Sequence, residues 1–236
     1  MTNLANGTRA VERALEIIEC FTEENYELGI SDIAKKVALS KATTYRIIKT
    51  MEAKGYVVQE PVTQKYRLGP RVLRLSSLFL TGLDFRRIAL PYMHKVRDLL
   101  NESVNLFIAS GMNRICIERI ECTQPLRRVL KVGDSFPLER GAAGKVLLAF
   151  GAGTGQAGDA NELAVIRRQG YAVTHGDRAD GASSVAAPIF DHRGEIVAAF
   201  AISGPTARYQ EPMLKEYISV VVENAKATSR DLGYQK

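Results

Sequence analysis

The stretch Ile30–Gly55, ISDIAKKVALSKATTYRIIKTMEAKG, decides how the first part of the chain folds. Ile30, Ile33, Ala34 and Val37 recur at helical spacing. Ser31 is placed as an N-cap and Asp32 lies in the first turn, where free amides and the helix dipole favour an acid. A tight Ala38-Leu39 connection leads to Ser40, a second cap residue, and to a helix running to Lys54, which Gly55 stops in the left-handed conformation. Two helices joined by so short a turn predict a helix-turn-helix. At about 100° per residue, Thr44, Ile47, Ile48 and Met51 gather on one face of the later helix, with Ala42, Arg46, Lys49 and Ala53 opposite. Lys41, Thr43 and Tyr45 flank the free face and, with the cap residue Ser40, are DNA-binding candidates at the end that approaches base edges when such a helix enters a major groove. Arg46 and Lys49 suit guanine or phosphate; small Ala42 and the Thr43 methyl permit contact with thymine methyls.

Upstream, Val11, Leu15, Ile18, Cys20 and Phe21 predict a helix over about 8–22. Downstream, Tyr56–Gln59 and Lys65–Leu68 flank the turn-forming Glu60-Pro61-Val62-Thr63-Gln64, which predicts a β-hairpin wing. Lys65 and Arg67 on it are candidates for phosphate or minor-groove contact. After Gly69-Pro70 a helix over 71–80 carries Val72, Leu75, Phe79 and Leu83 as one stripe, open to two readings, a dimer seam or packing on its own domain. Charge agrees with a nucleic-acid surface: residues 1–34 hold two basic and seven acidic side chains, whereas residues 35–74 hold ten and two, within a net +6.

From Ser103 the pattern changes. Strands are expected at 104–110, 114–120, 129–132, 171–174, 183–190 and 195–203, and helices at 86–100, 142–150, 161–169 and 211–232. Without regular strand–helix alternation, this predicts an α+β domain on a mostly antiparallel sheet. The expected division is 1–70 for the DNA-binding domain, 71–83 for a linker or dimerisation helix and 84–236 for a second domain.

A chain of 236 residues, 46% hydrophobic and 25% charged, has the composition of folded domains and excludes disordered or collagen-like classes. No apolar run approaches the roughly 18 residues of a membrane span. Residues 1–10 lack the basic start and apolar stretch of a secretory signal, so a cytoplasmic protein without membrane partners is expected. Cys20, Cys116 and Cys122 are scattered and have no close His, which predicts inert thiols and no metal. Gly151-Ala152-Gly153-Thr154-Gly155 lacks the Lys-Ser/Thr completion of a phosphate loop and reads as a surface loop. His94, His175 and His192 are far apart and no nucleophile motif is present, so no catalytic residue and no cofactor are assigned. Gly141-Ala142-Ala143-Gly144-Lys145 is more promising: small residues open a helix whose free amides can hold an anion, with Ser183, Ser184 and Ser203 as hydroxyl donors; tight packing is the competing reading.

The 30–54 helix-turn-helix, the Tyr66-Arg67-Leu68-Gly69 step and Gly141–Phe150 (GAAGKVLLAF) closely resemble the IclR family of bacterial transcriptional regulators. Gly170-Tyr171-Ala172-Val173, Ala186–Asp191, Arg193-Gly194 and Ile202-Ser203-Gly204-Pro205 extend the resemblance in order over almost the whole chain. It implies a winged helix-turn-helix domain that binds double-stranded operator DNA, a dimerising linker helix and a GAF-like effector-binding domain, assembled as a homodimer or homotetramer. It also implies an effector pocket of Gly141, Ala142, Thr174, Ser184, Ala201 and Ser203. Members that bind small keto acids often have Asp near Thr174, Cys at Ser184 and Ser at Ala201. Loss of those polar groups leads to the expectation of a larger carboxylate, an aromatic acid, relieving repression of a catabolic operon. An enzyme with a basic appendage and an architectural DNA-binding protein without allostery are the alternatives.

Overall fold

The computed structural model describes residues 8–127, 130–152, 158–176 and 181–235. The chain divides into two compact units, Met1–Gly82 and Leu83–Lys236. The first seven residues, and residues 153–155 of the glycine-rich stretch read as a surface loop, lie outside the described part.

The first unit contains α1 (Arg9–Glu19), α2 (Ile30–Lys36), α3 (Lys41–Ala53), a hairpin of β1 (Val57–Gln59) and β2 (Tyr66–Leu68), and α4 (Pro70–Thr81). Ile17, Leu28, Ile33, Val37, Ile48, Met51, Val57 and Tyr66 form its core, the helical faces that the spacing of apolar residues selects. Ser40 caps α3, its Oγ accepting from Thr43 N at 3.2 Å. The cap of α2 is Gly29 and not Ser31, because the Asp32 carboxylate reaches back to accept from Gly29 N at 3.3 Å and Ser31, two residues later, lies exposed inside the first turn. Ala38, with φ of 52°, turns the chain between α2 and α3 and lets Leu39 N donate to Ala34 O at 3.0 Å. Leu28 pairs antiparallel with Tyr66, adding a one-residue third rung to the wing. Gly69 is required by close approach: a Cβ there would run into the Gly55 carbonyl oxygen.

The second unit contains α5 (Asp84–Leu100), β3 (Ser103–Ser110), β4 (Asn113–Ile120), β5 (Ser135–Pro137), α6 (Gly141–Ala149), α7 (Ala160–Gln169), β6 (Ala172–His175), β7 (Ala182–Phe190), β8 (Ile196–Pro205) and α8 (Met213–Asp231). All six strands pair antiparallel in the order β5-β4-β3-β8-β7-β6. The helices α5 and α8 pack together and on the sheet, while α6 covers β6, β7, β8 and β3 and carries α7 on its outside. Alanines at 172, 186, 199 and 201 let the almost wholly buried α6 lie close to the strands. Of the strand expected over 129–132, the described residues 130–132 are not strand. Asp134 Oδ2 accepts from Lys131 N at 2.9 Å and Gly133 has φ of 98°, which folds this segment into a turn and delays the strand to β5. None of the helices is long and apolar enough to cross a membrane, and the described residues contain no cluster of metal-ligating side chains. Burial pushes the Cys116 thiol up to about 12.

A Cβ at Gly144 would collide with the Leu138 carbonyl oxygen and the Arg114 guanidinium. Gly144→Ala is therefore expected to cost about 2–3 kcal/mol by overpacking at backbone that cannot move away. A lower midpoint of unfolding in denaturant checks this, and an unchanged midpoint would show that α6 is free to shift.

Candidate functional site

Two surfaces carry the chemistry, one in each unit. On α3, Thr44, Ile48 and Met51 are buried and Ile47 half-buried, so Lys41, Ala42, Thr43, Tyr45 and Arg46 are turned to solvent along the first two turns. Ser40 spends its hydroxyl on the cap, within 2.9 Å of Thr43 Oγ1. The Arg46 guanidinium has no hydrogen-bond or ion-pair partner among the described residues, and the amino end of α3 adds the positive pole of its dipole. On the wing, alternation places Tyr66 inward and directs Lys65 and Arg67 away from the core.

Lys49 differs from the solvated cation expected from the helical wheel. Its Nζ lies 2.7 Å from Glu52 Oε2 and donates to Gln59 Oε1 at 3.3 Å, beside the rings of Tyr45 and Tyr66. The hydrogen bond to Glu52 raises its pKa. Lys49 thus ties α3 to the first wing strand and fixes the angle between them, with its charge already matched. Sequence reading also missed Arg9 and Arg13. They belong to the acidic block of residues 1–34, yet they share with Thr43 and Arg46 a groove between α1 and α3. Arg13 is paired with Glu16 at 2.6 Å, which leaves Arg9 as the added open cation at the rim.

In the second unit the six residues expected to form a pocket, Gly141, Ala142, Thr174, Ser184, Ala201 and Ser203, all line one cavity of about 40 Å³. Register explains the grouping. Thr174 pairs with Ser184 and Ser184 with Ser203, so three hydroxyl residues from β6, β7 and β8 form a row across one sheet face, with Ala201 one pleat further along β8. The start of α6 points at this row. Gly141, with φ of 72°, turns the chain so that Ala142 N donates to Thr174 Oγ1 at 3.1 Å and Ser184 Oγ at 3.3 Å, while the two hydroxyls lie 2.9 Å apart. Together they occupy the position of two carboxylate oxygens at a helix amino end.

Two further lining residues escaped the sequence reading. Asn105 is buried on β3 and donates from Nδ2 to Ser203 Oγ at 3.2 Å, while its Oδ1 accepts from Arg119 Nη1 at 3.2 Å. Arg114, 3% exposed on β4, donates from Nη1 to the carbonyls of Pro137 and Arg140, the latter the residue that caps α6, and lies over the rings of Phe107 and Phe136. A polar residue inside an otherwise apolar strand, as in VNLFI over 104–108, was the available signal for Asn105. Elsewhere, His175 Nδ1 lies 2.8 Å from Ser183 Oγ, which itself donates to Thr206 Oγ1.

Comparison with known proteins gives the following likenesses. Residues 10–61 match the model of the IclR helix-turn-helix domain, and residues 78–158 and 160–230 match that of the C-terminal domain of the bacterial transcriptional regulator IclR. The chain is 30% identical over 246 residues to the HTH-type transcriptional regulator XynR of Escherichia coli, an alignment spanning 96% of this chain and 98% of that one. It is 28% identical to the HTH-type transcriptional repressor AllR of Salmonella typhimurium, over 96% and 91% of the two chains. The crystal structure of IclR from Thermotoga maritima superposes with a TM-score of 0.74 at 28% identity, over 95% of this chain and 98% of that one.

Removing the α3 cap tests the local geometry. Ser40→Ala is expected to lower stability by about 1 kcal/mol through loss of the bond to Thr43 N, as read from the thermal midpoint. No change would mean that the Ser40 hydroxyl is not what orders the exposed end of α3.

Proposed function

The chain belongs to the IclR family of bacterial transcriptional regulators, and we propose that it is a two-fold repressor whose grip on a palindromic operator is released by a small carboxylate held at the start of α6. Regulators of this family bind DNA and small-molecule effectors, and the chain is a DNA-binding regulator, not an enzyme. The finer reading rests on one observation above the rest: a buried helix amino end whose amide is satisfied by two hydroxyls that a carboxylate can replace.

Size and polarity weigh against the aromatic acid expected from sequence. About 40 Å³ corresponds to roughly three water molecules, so the smaller the acid, the less the lining has to move to admit it. Asn105 and Arg114 supply the polar character that the substitutions at Thr174, Ser184 and Ala201 suggested was missing. In the DNA-binding unit, α3 enters the major groove with Lys41, Ala42, Thr43, Tyr45 and Arg46 toward the bases, and Lys65 and Arg67 of the wing reach the flanking phosphates. Ser40 and Lys49 position these elements. The twofold arrangement is supported by α4, which buries no residue and leaves Leu73 74% and Phe79 55% exposed. Leu75, 46% exposed, lines an apolar groove with Val11 and Leu15, and exposed apolar side chains of this extent support coverage by a second copy.

Arg46→Ala is expected to weaken binding to the upstream intergenic DNA by about 1–3 kcal/mol with the fold intact, measured by anisotropy at fixed salt. Equal binding by wild type and variant, or binding indifferent to DNA sequence, would return the chain to a merely charge-driven binder. For the effector, glyoxylate or pyruvate is expected to weaken operator binding by wild type and to have no effect on Thr174→Val/Ser184→Ala. An unaltered response in that variant would place the acid elsewhere.

A further inference from the structure

At the other end of α6 a second and larger cavity, about 350 Å³, opens among α6, β7, α8 and the C-terminal tail. Its walls are rings. Phe150, the C-cap of α6, meets Phe190 edge-on with centroids 5.2 Å apart, and Phe190 lies 4.9 Å from Tyr234 at a 30° tilt. Its rim is cationic, with Arg167, Lys226 and Arg230 among the lining residues and no carboxylate among the described ones. Arg167 donates from Nε to Ala149 O, whereas the charged ends of Lys226 and Arg230 have no hydrogen-bond partner among the described residues.

We propose that this groove is a second ligand site and takes a flat aromatic carboxylate, its ring packed against the Phe150, Phe190 and Tyr234 rings that wall the groove and its anionic end on Lys226 and Arg230. Three physical points carry the assignment. A volume of about 350 Å³ lies in the range of small-molecule pockets, roughly 300–1,000 Å³, unlike the hydroxyl-lined cavity. Faces and edges of aromatic rings select another ring over an aliphatic chain. Cations on one rim, with no acid among the described lining residues, select an anion and favour contact with a π-face. Pro188 in the lining has no N–H to satisfy and the buried Ser229 hydroxyl is already committed to Phe190 N and Ala225 O, so the inner wall favours an apolar end of the ligand. The groove and the hydroxyl-lined cavity both draw on β7, yet no residue lines both. The proposal therefore stands apart from the effector reading.

Titration of the full chain with 2-naphthoate, followed by its fluorescence and by calorimetry, tests it. One naphthoate per chain is expected, with the dissociation constant raised about tenfold in Lys226→Ala/Arg230→Ala by loss of charge-assisted contacts and unchanged in Ser184→Ala. Both rim residues are exposed, so the double variant keeps its fold. Absence of binding up to millimolar naphthoate would overturn the proposal, as would equally tight binding of the uncharged 2-naphthamide. Loss of binding in Ser184→Ala with none in the rim variant would move the ring to the hydroxyl-lined cavity and overturn it too. Affinity that falls as protein concentration rises would assign the groove to a second copy of the chain instead.

Discussion

The Ala142 amide, held between the hydroxyls of Thr174 and Ser184, is the contact on which the second unit turns. A helix start buried against a sheet leaves donors that must be satisfied, and here β6 and β7 supply the acceptors from paired positions. The rest of the local sequence serves that approach. Gly141 takes the positive φ that aims the amide, Gly144 removes a side chain that would strike Leu138 and Arg114, and the alanines of the sheet clear the floor. Arg114 holds the other side by gripping the carbonyls of Pro137 and Arg140 just before the helix. A ligand that replaces the two hydroxyls changes the partners of the helix start directly, and any difference between its affinities for two arrangements of α6 becomes a shift in their populations.

In the first unit the corresponding constraint is Lys49. A cation expected to face DNA instead joins Glu52 on its own helix to Gln59 on the wing. The reading elements are thereby fixed in relative angle before any contact with DNA, leaving less ordering to be done on binding. Arg46, one turn earlier, keeps its guanidinium open. Neighbouring positions on one helical face thus differ, Lys49 tied to the wing and Arg46 left open to solvent.

How much of this was legible in the sequence depends on the range of the interaction. The Ser40 cap and the Gly55 stop are local, and α3 follows from them residue by residue. Ser31 misled because a hydroxyl in the right place competed with a carboxylate, Asp32, that reaches back to Gly29. The strand expected over 129–132 failed where Gly133 and Asp134 make a turn that apolar spacing does not register. In the cavity, six residues were recognisable from motif resemblance. Asn105 meets Ser203 only through the pairing of β3 with β8, across 98 positions of chain, and no local pattern reports that. Arg114 was hidden for the same reason, and with it part of the polarity of the cavity lining. Arg9 and Arg13 were masked by counting charge in blocks of sequence, when folding brings α1 beside α3.

The most direct test of this account is a ¹⁵N-alanine amide spectrum of the intact protein, with the Ala142 resonance assigned by substitution, recorded during titration with the acid that changes operator affinity. The account predicts that the Ala142 amide shifts in step with the loss of DNA binding, as a carboxylate takes over from Thr174 and Ser184. An acid that alters DNA affinity while Ala142 stays unmoved would contradict it.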